Sequence, residues 1–438
     1  MNFDIQSKEF WDPEVLKKEM VRVFDTCHGC RVCYTLCPSF VKLFEVTDDV
    51  AGIFGSVEDL THHQINEVVD LCYQCKICDP ICPYVPPHLL DIDFPRTLVK
   101  YQLVRKKKEG TTFAEWIFGH TDLVGTLSSF AAPIVNWANR NPLLRGVLEE
   151  YLGVHRDRML PTFHSQTFAR WYRKHARRAA PSGAAKGEKV ALFYTCMVNY
   201  NAPEIGKAAV GVFERNGIEC VIPPQQCCGL PLIDAGLLPA ALMRMKANVA
   251  ALSKKVREGY KIVAPSASCS YMLKHDYPAY VEGEDAKLVS QNTYDLAEYF
   301  VKLHTAGKLD VNFAPAKAPS EGSGAQSGTR FRYHQPCHLM AQKIGFKGEE
   351  LLRILPHAGV ARLQCCSGHD GSWSAKKEFF EESMKVGRPL FNFMKEDDGA
   401  CCVTDCPLAA IQIEQGTGKK AINPVVALAQ AYGLDVSR

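Results

Sequence analysis

Nineteen cysteines occur in the 438-residue chain, and most of them fall into runs with regular spacing. "CHGCRVCYTLCP" extends from Cys27 to Pro38, and "CYQCKICDPICP" from Cys72 to Pro83. Both read C-x2-C-x2-C-x3-C-P. Gaps of two residues let a tight loop wrap three corners of a metal cluster with thiolates, and the proline closes the loop and opens the next element. In runs of this kind three cysteines grip one 4Fe–4S cube and the fourth reaches a second cube. Zinc also takes C-x2-C pairs, but two full copies of the pattern favour iron and sulfide. The crossover rule assigns Cys27, Cys30, Cys33 and Cys82 to one cube, and Cys72, Cys75, Cys78 and Cys37 to the other.

A second cysteine field follows. "KVALFYTC" reads as a strand that delivers Cys196, "ECVIPPQQCCGL" as a strand that delivers Cys227 and Cys228, and "YKIVAPSASC" as a strand that delivers Cys269. Helical stretches such as "LPAALMRMKANVAALSKKVREG" separate them. Alternating strands and helices form an α/β pattern, whose sites gather at the carboxyl ends of the strands. The pattern then repeats: "TRFRYHQPC" delivers Cys337, "VARLQCC" delivers Cys365 and Cys366, and "GACCVTDC" delivers Cys401, Cys402 and Cys406. First cysteine and pair are about 30 residues apart in one copy and about 27 in the other, with roughly 40 more to the next strand's cysteine in each. A duplicated lobe is the economical reading. Adjacent cysteines such as Cys365 and Cys366 cannot easily bridge to each other, because a disulfide needs converging side chains. Metal-ligand candidates here are therefore Cys196, Cys227, Cys228, Cys269, Cys337, Cys365, Cys366 and Cys406, with Cys401 and Cys402 left open.

These residues need a frame. Between the first two runs, "VEDLTHHQINEVVDL" carries apolar residues at Leu60, Ile65, Val68, Val69 and Leu71, a helical spacing. It predicts a helical two-cluster domain over residues 1–100, with His62 and His63 facing solvent. Residues 101–187 lack cysteine, and 101–180 hold thirteen Lys or Arg against six Asp or Glu, although the whole chain is only +3. Trp116, Trp137 and Trp171 lie here. The run "LVGTLSSFAAPIVNW" is too short and polar to cross a bilayer. It suits a helix lying in the interface, with "VRKKK" drawn to anionic lipid. Ordinary packed helices with a basic solvated face suit it equally, and a dock for an acidic partner protein is a third reading. The two α/β lobes span 188–313 and 331–438, joined by the linker-like "APAKAPSEGSGAQSGTR" at 314–330. Its G-S-G-A-Q-S-G lacks a preceding strand and a following helix, so it is not a dinucleotide loop. No other nucleotide motif occurs, and neither flavin nor nicotinamide is expected on this chain. The length calls for several domains, and 47% hydrophobic with 23% charged residues suits a soluble globular protein. The small net charge and the lack of a binding motif argue against nucleic acid. The opening "MNFDIQSKEFWDPEVLKKEM" has no export features, so a cytoplasmic location is expected, where dense cysteine binds metal rather than forming disulfides. The expected fold class is α+β multidomain: an N-terminal helical two-cluster ferredoxin domain followed by a duplicated α/β cysteine-rich domain.

The pattern C–CCG–C, twice, after a two-cluster ferredoxin resembles the CCG-domain iron–sulfur proteins of the heterodisulfide reductase type. With "GHTDLVGTLSSFAAPIVN" and "RDRMLPTFHSQTFARWYRK" in the middle, the chain is most similar to the family of the C subunit of anaerobic glycerol-3-phosphate dehydrogenase. The resemblance implies an electron-transport subunit of anaerobic respiration rather than a self-sufficient enzyme. It would pass electrons from a flavoprotein dehydrogenase to the membrane quinone pool, peripherally on the inner face of the cell membrane. It also implies two 4Fe–4S clusters with one or two further clusters in the lobes, and no single residue as general acid or base. A rubrerythrin-type partner, or heterodisulfide reductase-like thiol–disulfide chemistry, is the alternative. The chain departs from the family pattern, in which a lobe ends in C-x-x-C: here the first lobe has Ser266-x-x-Cys269 and the second Cys406-x-x-Ala409. In the second lobe Cys366-Ser367-Gly368 matches the CCG register, so Ser367 replaces a cysteine and Cys365 is an extra neighbour. These losses weigh against direct disulfide reduction. His338, His369 and Asp370 could hydrogen-bond cluster sulfurs, although a structural role is the commoner one for such residues.

Overall fold

A computed structural model describes residues 3–51, 56–175, 183–314 and 329–436; residues 315–328, most of the linker-like stretch, lie outside the described residues. The N-terminal domain is helical. Helix α1 (Pro13–Cys30) starts at Asp12, whose carboxylate accepts from the Glu14 and Val15 amides, with Pro13 in the first turn. It buries Leu16, Met20, Val23 and Phe24, one stripe at helical spacing, against α2 (Pro38–Ala51), α3 (His62–Asp70) and α4 (Phe94–Glu109). The spacer helix α3 opens with a capping box between Thr61 and Gln64, and His62 and His63 are exposed.

Five helices follow: α5 (Phe113–Gly119), α6 (Thr121–Phe130), α7 (Ala132–Ala138), α8 (Pro142–Leu152) and α9 (Phe168–His175). They pack onto the α/β lobes rather than forming a body of their own. A Cβ on Gly125 would stand 2.3 Å from the Tyr200 ring, so α6 approaches the first lobe where only glycine fits. The basic run at the end of α4 is partly consumed inside the molecule. Arg105 pairs with Asp70, Lys106 holds Glu115 at 2.7 Å, and Lys107 lies 4.1 Å from the centre of the Trp11 ring. Only Lys107 and Lys108 of that run are exposed.

The first lobe contains β1 (Lys189–Leu192), α10 (Cys196–Tyr200), α11 (Pro203–Arg215), β2 (Glu219–Val221), α12 (Leu230–Asp234), α13 (Leu238–Arg257), β3 (Lys261–Ala264), α14 (Ala267–Tyr271), α15 (Glu284–Gln291), β4 (Thr293–Asp295) and α16 (Leu296–Thr305). The second contains β5 (Arg330–Gln335), α17 (Cys337–Ala341), α18 (Lys347–Arg353), β6 (Gly359–Gln364), α19 (Phe380–Lys395), β7 (Cys401–Thr404), α20 (Pro407–Thr417), β8 (Ala421–Ile422) and α21 (Pro424–Ala431). Their sheets run β2-β1-β3-β4 and β6-β5-β7-β8, parallel throughout, so the strand order is the same in both lobes. The short fourth strands β4 and β8 add to the three per lobe anticipated from the cysteines. One core joins the lobes: Val212, Phe213 and Phe300 of the first pack with Tyr333, Leu352 and Val425 of the second.

Arg158 ties the middle segment to the second lobe. Its side chain is 2% exposed. The guanidinium donates to the Ser374 carbonyl (2.8 Å), Gln412 Oε1 (2.6 Å), Gln415 Oε1 (2.9 Å) and Ser383 Oγ (2.7 Å), and lies over the Phe380 ring. Burial draws its pKa down to about 10, yet it stays charged at neutral pH. Arg158→Ala leaves these acceptors unpaired in a dry site and should lower unfolding stability by about 2–4 kcal/mol in urea titrations. Arg158→Lys should recover only part of it, because an ammonium cannot present the planar fork.

Candidate iron–sulfur centres

Each ferredoxin-type loop turns in the same way. The residue after the second cysteine takes the left-handed conformation in both, Arg31 (φ 56°) and Lys76 (φ 61°), which reverses the chain so that the third cysteine points back at the first two. Cys27, Cys30, Cys33 and Cys82 line one cleft, and Cys78 borders it. Burial first, and then neighbouring Cys82, Cys37 and Cys30, push the Cys33 thiol up to about 12; burial and Cys82, Cys33 and Cys30 push Cys27 higher still. A group of thiols that raise one another's pKa is a site that a cation relieves, so the donor set fits a cluster. Cys72, Cys37 and Cys78 adjoin in turn: burial and then Cys37 raise Cys72, and burial and then Cys72, Cys37 and Cys33 raise Cys78. Cys75, assigned to this second set, also reaches into the second lobe.

In the first lobe the carboxyl ends of three strands deliver Cys196, Cys227, Cys228 and Cys269. Cys228 and Cys269 sulfurs stand 3.5 Å apart. Neighbouring Cys196 and Cys228 and the Gly229 amide hold Cys227 well below the ordinary thiol range despite its burial. Gly229 (φ +97°) makes the turn that aims its amide back. Asp122, at the start of α6, accepts from the Cys227 amide (2.7 Å) and from Arg244 (3.0 Å), so the middle segment clamps the loop. Four neighbouring thiols with hydrogen-bonded sulfur fit a four-thiolate cluster.

The second lobe repeats this with one thiol fewer. Cys366 is held well below the ordinary thiol range by neighbouring Cys337 and Cys75, opposed by burial and aided by the Gly368 amide, 3.3 Å away. Gly368 (φ +76°) turns as Gly229 does. Cys366-Ser367-Gly368 is therefore the structural equivalent of Cys227-Cys228-Gly229. Where Cys228 neighbours Cys227 in the first lobe, Cys75 of the ferredoxin-type loop neighbours Cys366 in the second. One cavity brings together Cys75, Cys337, Cys366 and Cys406. Cys365, named above as a ligand candidate, is not among them: it packs with Leu363, Leu390, Met394, Cys402 and Ile413 on the other side of the strand. Alternation along an extended chain explains it, since adjacent side chains point to opposite faces. Cys401 and Cys402 lie within β7, paired with Phe331 and Arg332, short of the strand end that carries Cys406.

The centres adjoin one another. Cys269 of the first lobe is close enough to raise the Cys406 thiol of the second, after burial and Asp405. The ferredoxin-type loop is fastened to both lobes by groups its spacing did not reveal. Lys76 forms a buried 2.7 Å ion pair with Asp276; burial alone would raise that carboxyl, but Lys76 and Arg96 hold it below the usual range. The Trp373 indole donates to the Asp70 carbonyl (2.8 Å). His338, drawn down to about 4 by burial, is neutral. Its Nε2 donates to the Gln74 carbonyl (3.0 Å) and its Nδ1 accepts from Ser268 (2.8 Å), so it joins all three units rather than touching a sulfur. Asp370 is occupied by the Trp373 and Ser374 amides. His369 keeps Nε2 without a partner at the edge of the second-lobe cavity.

Two family profiles match the chain: a cysteine-rich (CCG) domain over residues 190–274 and 331–414, and the Fer4-like domain of citrate utilization protein B over 20–109. The C subunit of the anaerobic glycerol-3-phosphate dehydrogenase of Escherichia coli is 33% identical over 417 residues, covering 93% of this chain and 98% of that protein. Lactate utilization protein A of Geobacillus thermodenitrificans is 34% identical over 45% of this chain and 78% of its own length. The B subunit of the fumarate reductase (CoM/CoB) of Methanothermobacter marburgensis is 27% identical over 56% of this chain and 45% of its own.

Proposed function

Because the chain belongs to the family of the C subunit of anaerobic glycerol-3-phosphate dehydrogenase, we propose that it relays electrons from a flavoprotein dehydrogenase to a membrane quinone pool. It is an iron–sulfur electron-transfer protein with a Fer4-like domain and two CCG domains. In this reading Cys27, Cys30, Cys33 and Cys82 hold one 4Fe–4S cluster and Cys37, Cys72, Cys75 and Cys78 a second, and Cys196, Cys227, Cys228 and Cys269 hold a third. Bound clusters supply one-electron oxidation and reduction. The protein's own part is to bury the thiols, aim amides and hydroxyls at them, and keep neighbouring centres close.

The observation that supports this best is the unbroken succession of thiols. It runs from the ferredoxin-type cleft through Cys37 and Cys75 to Cys366, and from Cys406 to Cys269 of the first lobe. Helices α6–α8 present apolar side chains to the outside, which supports a peripheral seat on a membrane. No helix among the described residues is long and apolar enough to cross one. The test is anaerobic isolation of the full chain with iron and acid-labile sulfide analysis, then mixing with a substrate-reduced flavoprotein dehydrogenase. Two cubes require about eight irons per chain, and a loaded lobe gives an excess. The chain alone should show no turnover with glycerol 3-phosphate. Zinc without iron, or flavin bound to this chain alone, would overturn the reading.

A further inference from the structure

One cavity is unlike the thiol clefts. It measures about 330 Å³ and is walled by the middle helices on one side and by the facing edges of both lobes on the other. The volume is that of a small-molecule site. Val124 of α6, Val135 of α7, and Leu148 and Leu152 of α8 make its apolar wall, and Cys196, Cys228 and Cys269 stand at its floor. Asp234, the last residue of α12, also lines it, with Oδ1 shielded from solvent and without a hydrogen-bond partner. The helices that form the wall carry exposed apolar residues on their outer faces, among them Leu127, Phe130, Ile134 and Trp137. An apolar chamber thus lies between the last thiol set and helices whose outer faces carry exposed apolar side chains.

We propose that this cavity binds a quinone, with its ring against Asp234 and the Cys196–Cys228–Cys269 edge, and its tail along α6–α8. The proposal rests on the relay reading above, which it deepens by placing the acceptor. The cavity selects an uncharged ligand, because its walls offer no cation to an anion, and the buried polar atoms left without a partner are the Asp234 carboxyl oxygen and the Thr121 hydroxyl. Burial, then the neighbouring Asp370, push Asp234 up to about 8, so at neutral pH it carries an O–H that can donate to a ring carbonyl. A hydrocarbon tail alone would leave that donor unpaired. A flat, lipid-soluble ring bearing carbonyl acceptors satisfies both features.

The experiment is photolabelling of the full-length protein in nanodiscs with an azido-decylbenzoquinone, mapped by peptide mass spectrometry. The label should fall on peptides within residues 117–163, and decylubiquinone should compete it away while dodecanol should not. Leu148→Trp fills the cavity and should cut labelling about tenfold or more. Val135→Trp is the second filling variant should the first fold poorly, with visible spectra reporting intact clusters. Asp234→Leu keeps the size, removes the donor and should weaken quinone competition about fivefold, the worth of one hydrogen bond, with dodecanol unaffected. Labelling elsewhere, full labelling in a well-folded filling variant, or equal competition by dodecanol overturns the site. If quinone is still reduced in those cases, the relay reading stands without this site; if wild-type protein neither binds nor reduces quinone, both fall.

Discussion

On the proposed ligand assignment, Cys30→Ser is expected to cost the protein one ferredoxin-type cluster in intact form and to cut the proposed electron flow about a hundredfold. The cleft it lines offers Cys27, Cys33 and Cys82 as the remaining thiols, and three thiolates leave one iron corner to a serine hydroxyl or to water. A serine oxygen is a harder and weaker ligand than a thiolate, and changes even beyond the ligands themselves cost metal affinity 10- to 100-fold. Iron should fall from the wild-type value by one to four per chain, and the low-temperature EPR spectrum should lose or replace one of its signals. The effect on flow is large because the centres adjoin in series and the cleft lies at one end. Cys365→Ser is the matched control: its sulfur packs among Leu363, Leu390 and Met394, so iron content and spectra should not change. An unaltered spectrum in Cys30→Ser, or iron loss in Cys365→Ser, would refute the ligand assignment.

The contrast between Cys30 and Cys365 marks how far the sequence could be read. The ferredoxin-type runs are legible because their spacing is local: a left-handed residue after the second cysteine, and the loop closes on itself. The three cysteine-bearing strands of each lobe are legible for the same reason, since apolar runs end in cysteine. The register Cys366-Ser367-Gly368 follows from the family pattern, and its physical reason is a glycine that turns left-handed two residues after the sulfur it donates to. Counting adjacent cysteines did not separate Cys365 from Cys366, because neighbouring residues of an extended chain point to opposite faces, and it left Cys401 and Cys402 open, which lie within β7 short of its end. The contacts that join the units were not legible at all. Lys76 with Asp276 spans 200 residues, and His338 with Gln74 spans 264; no local pattern records which residues will meet after folding. The basic run at Arg105–Lys108 illustrates the same gap, since half of it is neutralised internally by Asp70 and Glu115.

That neutralisation changes which force should hold the protein to a membrane. Lys107 and Lys108 remain exposed, and each basic residue near an anionic surface is worth about 1 kcal/mol. The outer faces of α6 and α7 offer more. Leu127 is 63% exposed, Phe130 83%, Ile134 69% and Trp137 60%, and complete burial of one such side chain is worth about 1.5–3 kcal/mol. Even if the interface covers these side chains only in part, the apolar contribution exceeds the electrostatic one. The combined variant Leu127→Glu, Phe130→Glu, Ile134→Glu should therefore lower partition onto phosphatidylglycerol-containing vesicles by about a hundredfold or more. Raising the salt concentration should release wild-type protein only a few-fold, because screening acts on the exposed basic residues, Lys107, Lys108 and Arg140 among them, and not on the apolar face. Substituting exposed positions should leave iron content and the unfolding midpoint near those of the wild type, which separates loss of docking from loss of fold. Equal sedimentation of variant and wild type with vesicles would return α6–α8 to the reading of ordinary packed helices. Release of wild type by salt alone would make the basic residues, not the apolar face, the anchor.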